Sequence, residues 1–142
     1  MAKRISMACL GFDDEPDYFK PSMVSQEHLS ELFVDVPTSV RDWAKQCIRN
    51  GWRIYTVSQR RGRCYPRQKV ITIPVWVITL TDKPGKKIWY ISHELAHAMD
   101  ECRHNHGPEF MEWLKTICPE EHLHWELGYK PRNARAAGID PF

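Results

Sequence analysis

Two histidines spaced four residues apart, with a glutamate between them, are the residues of this sequence best suited to chemistry. His93, Glu94 and His97 form the pattern HExxH. In a helix, residues four apart project from the same side, so both imidazoles could bind one Zn²⁺ at about 2.0–2.1 Å. Glu94 lies further round the helix, where its carboxylate could take a proton from a water held by the metal. The pattern therefore predicts a zinc site with a catalytic base.

A catalytic zinc site also needs a third protein ligand and one open position. The metzincin arrangement is excluded, because it requires a histidine six residues after His97 and that position is Arg103. His106 follows nine residues after His97, across a polar segment that could reverse the chain. His106 would then lie at the start of the next helix, where a tight turn could direct it back to the first two histidines. The other candidates for the third position are His104, Glu109 and Glu112.

Helical periodicity extends around HExxH, from about residue 86 to residue 102. At about 100° per residue, this helix has one apolar side and one ionisable side. The apolar side consists of Ile88, Ile91, Leu95, Met99 and Cys102. His93, His97 and Asp100 fall on the other side, where Asp100 could hydrogen-bond a ligand imidazole and orient it. This helix should therefore pack on a core and present its histidines away from it.

The remaining segments predict a single α+β domain over residues 25–142, after an extended or poorly ordered lead-in over residues 1–24. Apolar spacing predicts helices over residues 25–33 and 38–49, the second capped by Thr38 or Ser39. Strands are predicted at residues 52–58 and 70–73, joined by a polar loop. Because Pro74 cannot donate a ladder hydrogen bond, residues 75–78 should bend away or form an edge strand. A further helix should run from Gly107 to Pro119.

Composition and charge bound the class of protein. The chain has 142 residues, 42% hydrophobic and 27% charged, with a net charge of +2. These values are typical of one globular domain and do not indicate a protein built to coat nucleic acid. No segment approaches the roughly 20 apolar residues of a membrane span, and the N-terminal apolar stretch is too short for a signal peptide. We therefore expect a cytoplasmic protein without a membrane partner.

The five cysteines are widely spaced and form no CxxC pair. This pattern indicates neither a disulfide framework nor a zinc ribbon. Reduced and mostly buried thiols are therefore expected.

Two segments resemble the SprT-like, or Spartan-type, zinc metallopeptidase family. One is HExxH followed by HGPEF at residues 106–110, where that family has an HGxxF element that supplies the third ligand. The other is GRCYP at residues 62–66 followed by VITI at residues 70–73, which is similar to the segment before the family's metal-binding helix. The resemblance covers roughly residues 40–118. It implies a zincin-like domain in which His93, His97 and His106 hold Zn²⁺ and Glu94 is the base of a peptidase.

The chain departs from many members of that family in having no CxxC pair after Cys118. It is similar in this respect to the short, single-domain forms found in phage genomes, for which the location would be the host cytoplasm. Binding of DNA or of a partner through a ribbon is therefore not expected. The resemblance implies a protein or peptide as substrate and does not name one.

Several further residues are candidates for binding. Tyr129 could polarise a substrate carbonyl if its segment folds over the cleft, or it could pack as an ordinary aromatic residue. A basic segment could contact nucleic acid, with Tyr65 stacking on a base, or could be a solvated loop; it comprises Arg60, Arg61, Arg63, Arg67 and Lys69. His122 and His124 are expected at the surface. The alternatives to a simple peptidase are a non-enzymatic regulator whose helices are joined by zinc and a DNA-associated protein with gated peptidase activity.

Overall fold

A long helix packed against a small sheet forms the centre of the molecule, and the computed structural model describes residues 18–25 and 29–140. The helices are α1 (Leu29–Leu32), α2 (Thr38–Arg49), α3 (Pro84–Met99), α4 (Pro108–Ile117), α5 (Trp125–Tyr129) and α6 (Pro131–Ala136). The strands are β1 (Arg53–Val57), β2 (Cys64–Tyr65) and β3 (Val70–Pro74). Short 3-10 helices occur at Pro21–Met23, Val75–Thr79 and Glu120–His122. The fold is α+β, as the sequence predicts.

β3 is the central strand of the sheet, whose order is β1-β3-β2. It pairs in parallel with β1 and antiparallel with β2, and all of its residues are buried. Side chains alternate between the two faces of a strand. Ile71 and Ile73 accordingly belong to the main core, which includes Leu95 of α3, whereas Val70 belongs to a second cluster with Phe19. The sheet is thus covered on both faces, and the main core lies between the sheet and α3.

The last residues of the predicted lead-in pack on the sheet, while residues 1–17 lie outside the described part of the chain. Phe19 stacks on Tyr55, with their ring centroids 4.8 Å apart. The backbone N–H of Phe19 donates to Oε1 of Gln68 at 2.6 Å, and the N–H of Ser25 donates to the carbonyl of Thr56 at 2.7 Å. These contacts hold residues 19–25 against β1.

The N-terminal helices match the prediction in position but differ in detail. α2 spans the predicted residues and buries Val40, Ala44 and Cys47 at helical spacing. Ile48, which the periodicity places on the same face, is 57% exposed because the last turn extends beyond the core. No side chain caps α2, which follows Pro37 and begins at Thr38. α1 is shorter than predicted within the described residues, since residues 26–28 lie outside them.

The expected edge strand at residues 75–78 is wrong, because this segment forms the 3-10 helix Val75–Thr79. Pro74 still ends β3 opposite Val57, and the chain turns immediately after it. Val77 is buried in the main core, which favours the turn over an extended edge. The edge strands of the sheet are β1 and β2, and β2 lies within the predicted polar loop.

α3 begins two residues earlier than predicted and ends three residues earlier, after Met99. Pro84 occupies the first turn, where its missing N–H leaves no intrahelical bond unmade. Glu101 and Cys102 both have φ of 55°, and this left-handed backbone ends the helix. Even α3 is too short for a membrane span, and no other helix in the described ranges has the length and apolar character for one.

The prediction of reduced thiols is wrong for Cys64 and Cys102, which form a disulfide with their Cα atoms 6.5 Å apart. The bond joins β2 to the loop after α3, two segments 38 residues apart in sequence. Such a pairing depends on how β2 and α3 meet in space, which cysteine spacing alone does not indicate. Cys47 and Cys118 are free and buried, as predicted, and Cys9 lies outside the described residues.

Candidate metal centre

Three histidine side chains converge at one point between α3 and the loop that precedes α4. Nε2 of His106 lies 3.1 Å from Nε2 of His93 and 3.1 Å from Nε2 of His97. Two ligands of a tetrahedral zinc ion, each about 2.0–2.1 Å from the metal, would lie roughly 3.3 Å apart. The three ligand atoms all lie within 4.8 Å of one another, so this group could hold a metal ion. It contains the three histidines that the resemblance selects.

His106 reaches this position through an unusual backbone. Asn105 has φ of 36° and His106 has φ of 71°, so two consecutive residues in this loop are outside the right-handed and extended regions. The N–H of Gly107 donates to the carbonyl of His104 at 2.7 Å, closing a turn just before α4 begins at Pro108. This turn directs the imidazole of His106 back toward α3.

Asp100 and His104 form two hydrogen bonds with each other. The N–H of His104 donates to Oδ2 of Asp100 at 2.8 Å, and Nδ1 of His104 lies 2.6 Å from Oδ1. The hydrogen bond to Asp100 raises the pKa of His104. Asp100 therefore stabilises the loop that carries His106. It does not orient a ligand imidazole, which is the role that the sequence suggests for it. Among the described residues, neither His104 nor Glu109 or Glu112 joins the group of three histidines.

Glu126, which sequence reasoning missed, is the residue that orients a histidine of the site. Its Oε1 lies 2.8 Å from Nδ1 of His93 and accepts a hydrogen bond from Nε1 of Trp89 at 2.7 Å. Burial alone would raise the pKa of Glu126, but the bonds to His93 and Trp89 hold it below its ordinary value. When Nδ1 of His93 donates to this carboxylate, Nε2 keeps the lone pair that a metal requires.

Two imidazoles of the site, those of His97 and His106, are held in their neutral form. Burial lowers the pKa of His97 and of His106, and the neighbouring His93 lowers both further. For His106 the value is about 4. Metal binding requires neutral histidine, so these ligands need not lose a proton at neutral pH. A donor set of three imidazoles fits a zinc ion.

Glu94 lies beside the histidines with an unsatisfied carboxylate. It is buried, and among the described residues nothing hydrogen-bonds its Oε1. Burial raises the pKa of Glu94 to about 7, and the nearby Glu126 also raises it. A buried polar atom without a partner calls for an explanation. A water or a substrate atom at the metal centre would give this oxygen its missing partner.

Gly62 allows the sheet edge to approach Glu94 closely. A Cβ atom at this position would lie 2.9 Å from Oε2 of Glu94 and would also collide with the carbonyl oxygen of Thr72. The N–H of Gly62 donates to the hydroxyl of Tyr90 at 2.9 Å. Only a residue without a side chain fits between these groups.

A cleft of about 420 Å³ adjoins the centre and is lined by both His93 and Glu94. Its walls include Tyr129, whose ring centroid lies 5.1 Å from that of His93. Burial raises the pKa of Tyr129, although 47% of the residue is exposed. Tyr129 thus lies beside the metal centre, where it would have to lie to polarise a substrate carbonyl.

The basic segment divides between the cleft and other contacts. Arg60 and Arg61 line the cleft. The guanidinium of Arg63 lies 5.6 Å from the ring centroid of Tyr65, and Nζ of Lys69 donates to the carbonyl of Asn50 at 2.9 Å. Arg67 is exposed. His122 and His124 lie outside the metal-binding group, and both are partly exposed.

Comparisons of the chain with protein-family models, with curated proteins and with solved structures found no match.

Proposed function

We propose that this protein is a zinc-dependent endopeptidase similar to the SprT-like family. The observation that carries the proposal is the position of Glu94. Its buried carboxylate has an unsatisfied oxygen and lies beside three histidines whose Nε2 atoms converge. A structural zinc site needs four protein ligands and no base. Three histidines with an adjacent carboxylate and an adjoining cleft favour hydrolysis.

His93, His97 and His106 would hold the ion, and Glu126 would keep His93 in the tautomer that binds metal. When bound, Zn²⁺ supplies a Lewis acid that polarises a peptide carbonyl and lowers the pKa of a water molecule. The choice of zinc is supported by three nitrogen donors, of which two pairs lie 3.1 Å apart, close to tetrahedral spacing.

Glu94 is the proton carrier of the proposed reaction. It takes one proton from the water that attacks the peptide carbonyl carbon, and then gives that proton to the leaving nitrogen. The peptide C–N bond is thereby replaced by a carboxyl group and an amine. A general base works best when its pKa is close to the working pH, and burial has moved the pKa of Glu94 to about 7. Tyr129, at the cleft wall, is the candidate for a hydrogen bond to the substrate carbonyl.

The test is the Glu94→Gln variant, assayed for zinc content by elemental mass spectrometry and for cleavage of an unstructured protein such as casein. We expect full zinc occupancy and a loss of at least about a hundredfold in cleavage rate, the scale of general-base catalysis. Glu109→Gln, an exposed carboxylate outside the group of three histidines, is the matched control and should cleave normally. Retained cleavage by Glu94→Gln would overturn the role of Glu94.

A further inference from the structure

The cleft beside the metal centre has walls made mainly of aromatic side chains. Besides His93 and Glu94, five aromatic residues line it: Trp76, Trp89, Tyr90, Trp125 and Tyr129. Trp76 and Tyr129 are among the most exposed large hydrophobic residues of the described chain, at 37% and 47%. Large exposed apolar side chains gathered in a concave site indicate a ligand-binding surface.

Two of these aromatic rings, those of Trp76 and Tyr90, are fixed by hydrogen bonds at their polar ends. Nε1 of Trp76 donates to the carbonyl of Arg60 at 2.8 Å, and the hydroxyl of Tyr90 accepts from the N–H of Gly62. Trp76 and Tyr90 also meet edge to face, with ring centroids 5.3 Å apart. The wall is therefore formed before any ligand arrives, which reduces the entropy lost on binding.

The rim of the same cleft is positive. Arg60, Arg61 and Lys86 line it, and among the residues that the structure describes the only acidic one in the lining is the buried Glu94 of the metal centre. In the described part of the chain, no carboxylate lies within ion-pair distance of these three cations. Like charges around one opening repel each other, and a negatively charged ligand would relieve that repulsion.

We propose that this cleft is a specificity pocket for peptides that carry an aromatic side chain next to an acidic residue. The inference rests on the proposed peptidase function and names its substrate class. The aromatic side chain lies against Trp76 and Tyr90, and the neighbouring carboxylate meets the cations of the rim. A volume of about 420 Å³ lies within the range of about 300–1,000 Å³ of ligand pockets.

A peptide fits this cleft better than a nucleic acid does. Phosphate backbones are bound along continuous basic tracks. Here the basic segment does not form one, because Arg63 lies over Tyr65 and Lys69 bonds Asn50. Arg60 and Arg61 line a single opening that also contains Glu94 and His93, whereas Arg67 is exposed outside it. Such an opening suits one side chain of a peptide together with the side chain of the adjacent peptide residue.

The experiment measures binding without turnover. Zinc-loaded full-length Glu94→Gln protein is titrated into three fluorescein-labelled peptides of equal length, whose central pair is Phe-Asp, Phe-Lys or Ala-Asp. We expect the Phe-Asp peptide to bind about tenfold more tightly than either of the others. Equal affinity for the three peptides would overturn the proposal.

Charge reversal tests the rim. Arg61→Glu, added to Glu94→Gln, should weaken the Phe-Asp peptide about tenfold and strengthen the Phe-Lys peptide. Arg41→Glu makes the same change of charge on the exposed surface of α2 and should leave both affinities within twofold. Equal effects of the two variants would overturn the assignment of Arg61.

The aromatic wall is tested by Trp76→Leu, a partly exposed position whose indole contacts the backbone of Arg60. This variant should bind the Phe-Asp peptide more weakly and leave the affinity for the Ala-Asp peptide unchanged.

A single-stranded oligothymidylate, added as a competitor, tests whether the cleft binds nucleic acid instead. If it displaces the peptide and binds more tightly, the cleft is a nucleic-acid site and the proposal fails.

Failure of the pocket and failure of the peptidase give different results. If the wild-type protein cleaves peptides without regard to the Phe-Asp pair, the pocket proposal is wrong and the peptidase stands. If the Glu94→Gln protein binds with the expected preference and the wild-type protein cleaves none of the peptides, the peptidase is wrong and the pocket stands.

Discussion

The Nε2 atoms of His93 and His106 lie 3.1 Å apart, although 13 positions separate the two residues in sequence. His93 belongs to the regular helix α3, whereas His106 belongs to a loop with left-handed backbone. The helix sets the spacing of His93 and His97, and the loop alone decides whether a third imidazole joins them.

Removing the imidazole of the loop should empty the site. We expect His106→Ala to lose most of the zinc that the wild-type protein carries, because two histidines alone bind the ion weakly. His124→Ala is the control, since His124 is partly exposed and lies outside the group. Elemental mass spectrometry of protein purified without a histidine tag gives the stoichiometry. Unchanged zinc in His106→Ala would assign the third position to another residue.

The carboxylate behind His93 should strengthen metal binding. Glu126→Gln keeps the shape of the side chain and removes the charge that stabilises the donating imidazole. The expected loss of zinc affinity is about 10–100-fold, the usual effect of such partners. Competition with a chromophoric chelator measures it. Glu121→Gln, an exposed carboxylate, should leave the affinity unchanged, and an equal loss in both variants would contradict the role of Glu126.

A methyl group at residue 62 should disturb the centre from the sheet side. Gly62→Ala places a Cβ within 2.9 Å of Oε2 of Glu94 and against the carbonyl of Thr72. Overpacking of this kind costs about 1–3 kcal/mol of unfolding free energy. Urea denaturation measures it. Gly128→Ala is the control for stability, since a Cβ there meets no atom within 4 Å, and equal midpoints for the two variants would refute the predicted collision.

Metal removal distinguishes a catalytic centre from a zinc-joined regulator. The main core, with Ile71, Ile91, Leu95 and Leu114 among its buried members, does not depend on the ligand atoms. We therefore expect EDTA to lower the melting temperature while far-ultraviolet circular dichroism at 25 °C stays unchanged. Unfolding by the chelator at 25 °C would favour the regulator, because small domains held by structural zinc unfold without it.

The disulfide should stabilise the whole domain. Cys64→Ser combined with Cys102→Ser is expected to lower the unfolding free energy by about 2–4 kcal/mol, since the bond closes a long loop in the unfolded chain. A reducing agent should lower the stability of the wild-type protein by a similar amount and leave the double variant unchanged. Equal stability of the two proteins under non-reducing conditions would contradict this prediction.

The sequence predicts the elements whose residues repeat over several turns or alternations. α2, β1, β3 and α3 are long enough for their apolar periodicity to be visible, and HExxH fixes His93 and His97 by local helical spacing. β2 has only two residues and therefore no period. The segment after Pro74 has strand-forming residues, but it forms a 3-10 helix in which Val77 is buried in the core.

The surroundings of the centre depend on contacts that no local pattern records. Four non-glycine residues between α3 and α4 have positive φ, so no glycine marks the positions where the backbone becomes left-handed before His106. Glu126 lies in α5, which has five residues. In the sequence, only the position of Glu126 between the apolar Trp125 and Leu127 suggests that this carboxylate is buried. That position does not indicate which histidine Glu126 contacts.

The position of Glu126 in sequence also sets an order of assembly during synthesis on the ribosome. All three imidazoles leave the ribosome before Glu126, which follows His93 by 33 positions. A nascent chain can therefore present His93, His97 and His106 while the imidazole of His93 is still free to adopt either tautomer. Nδ1 of His93 meets its carboxylate only once α5 has packed against α3. The three histidines are therefore all synthesised before the residue that orients one of them.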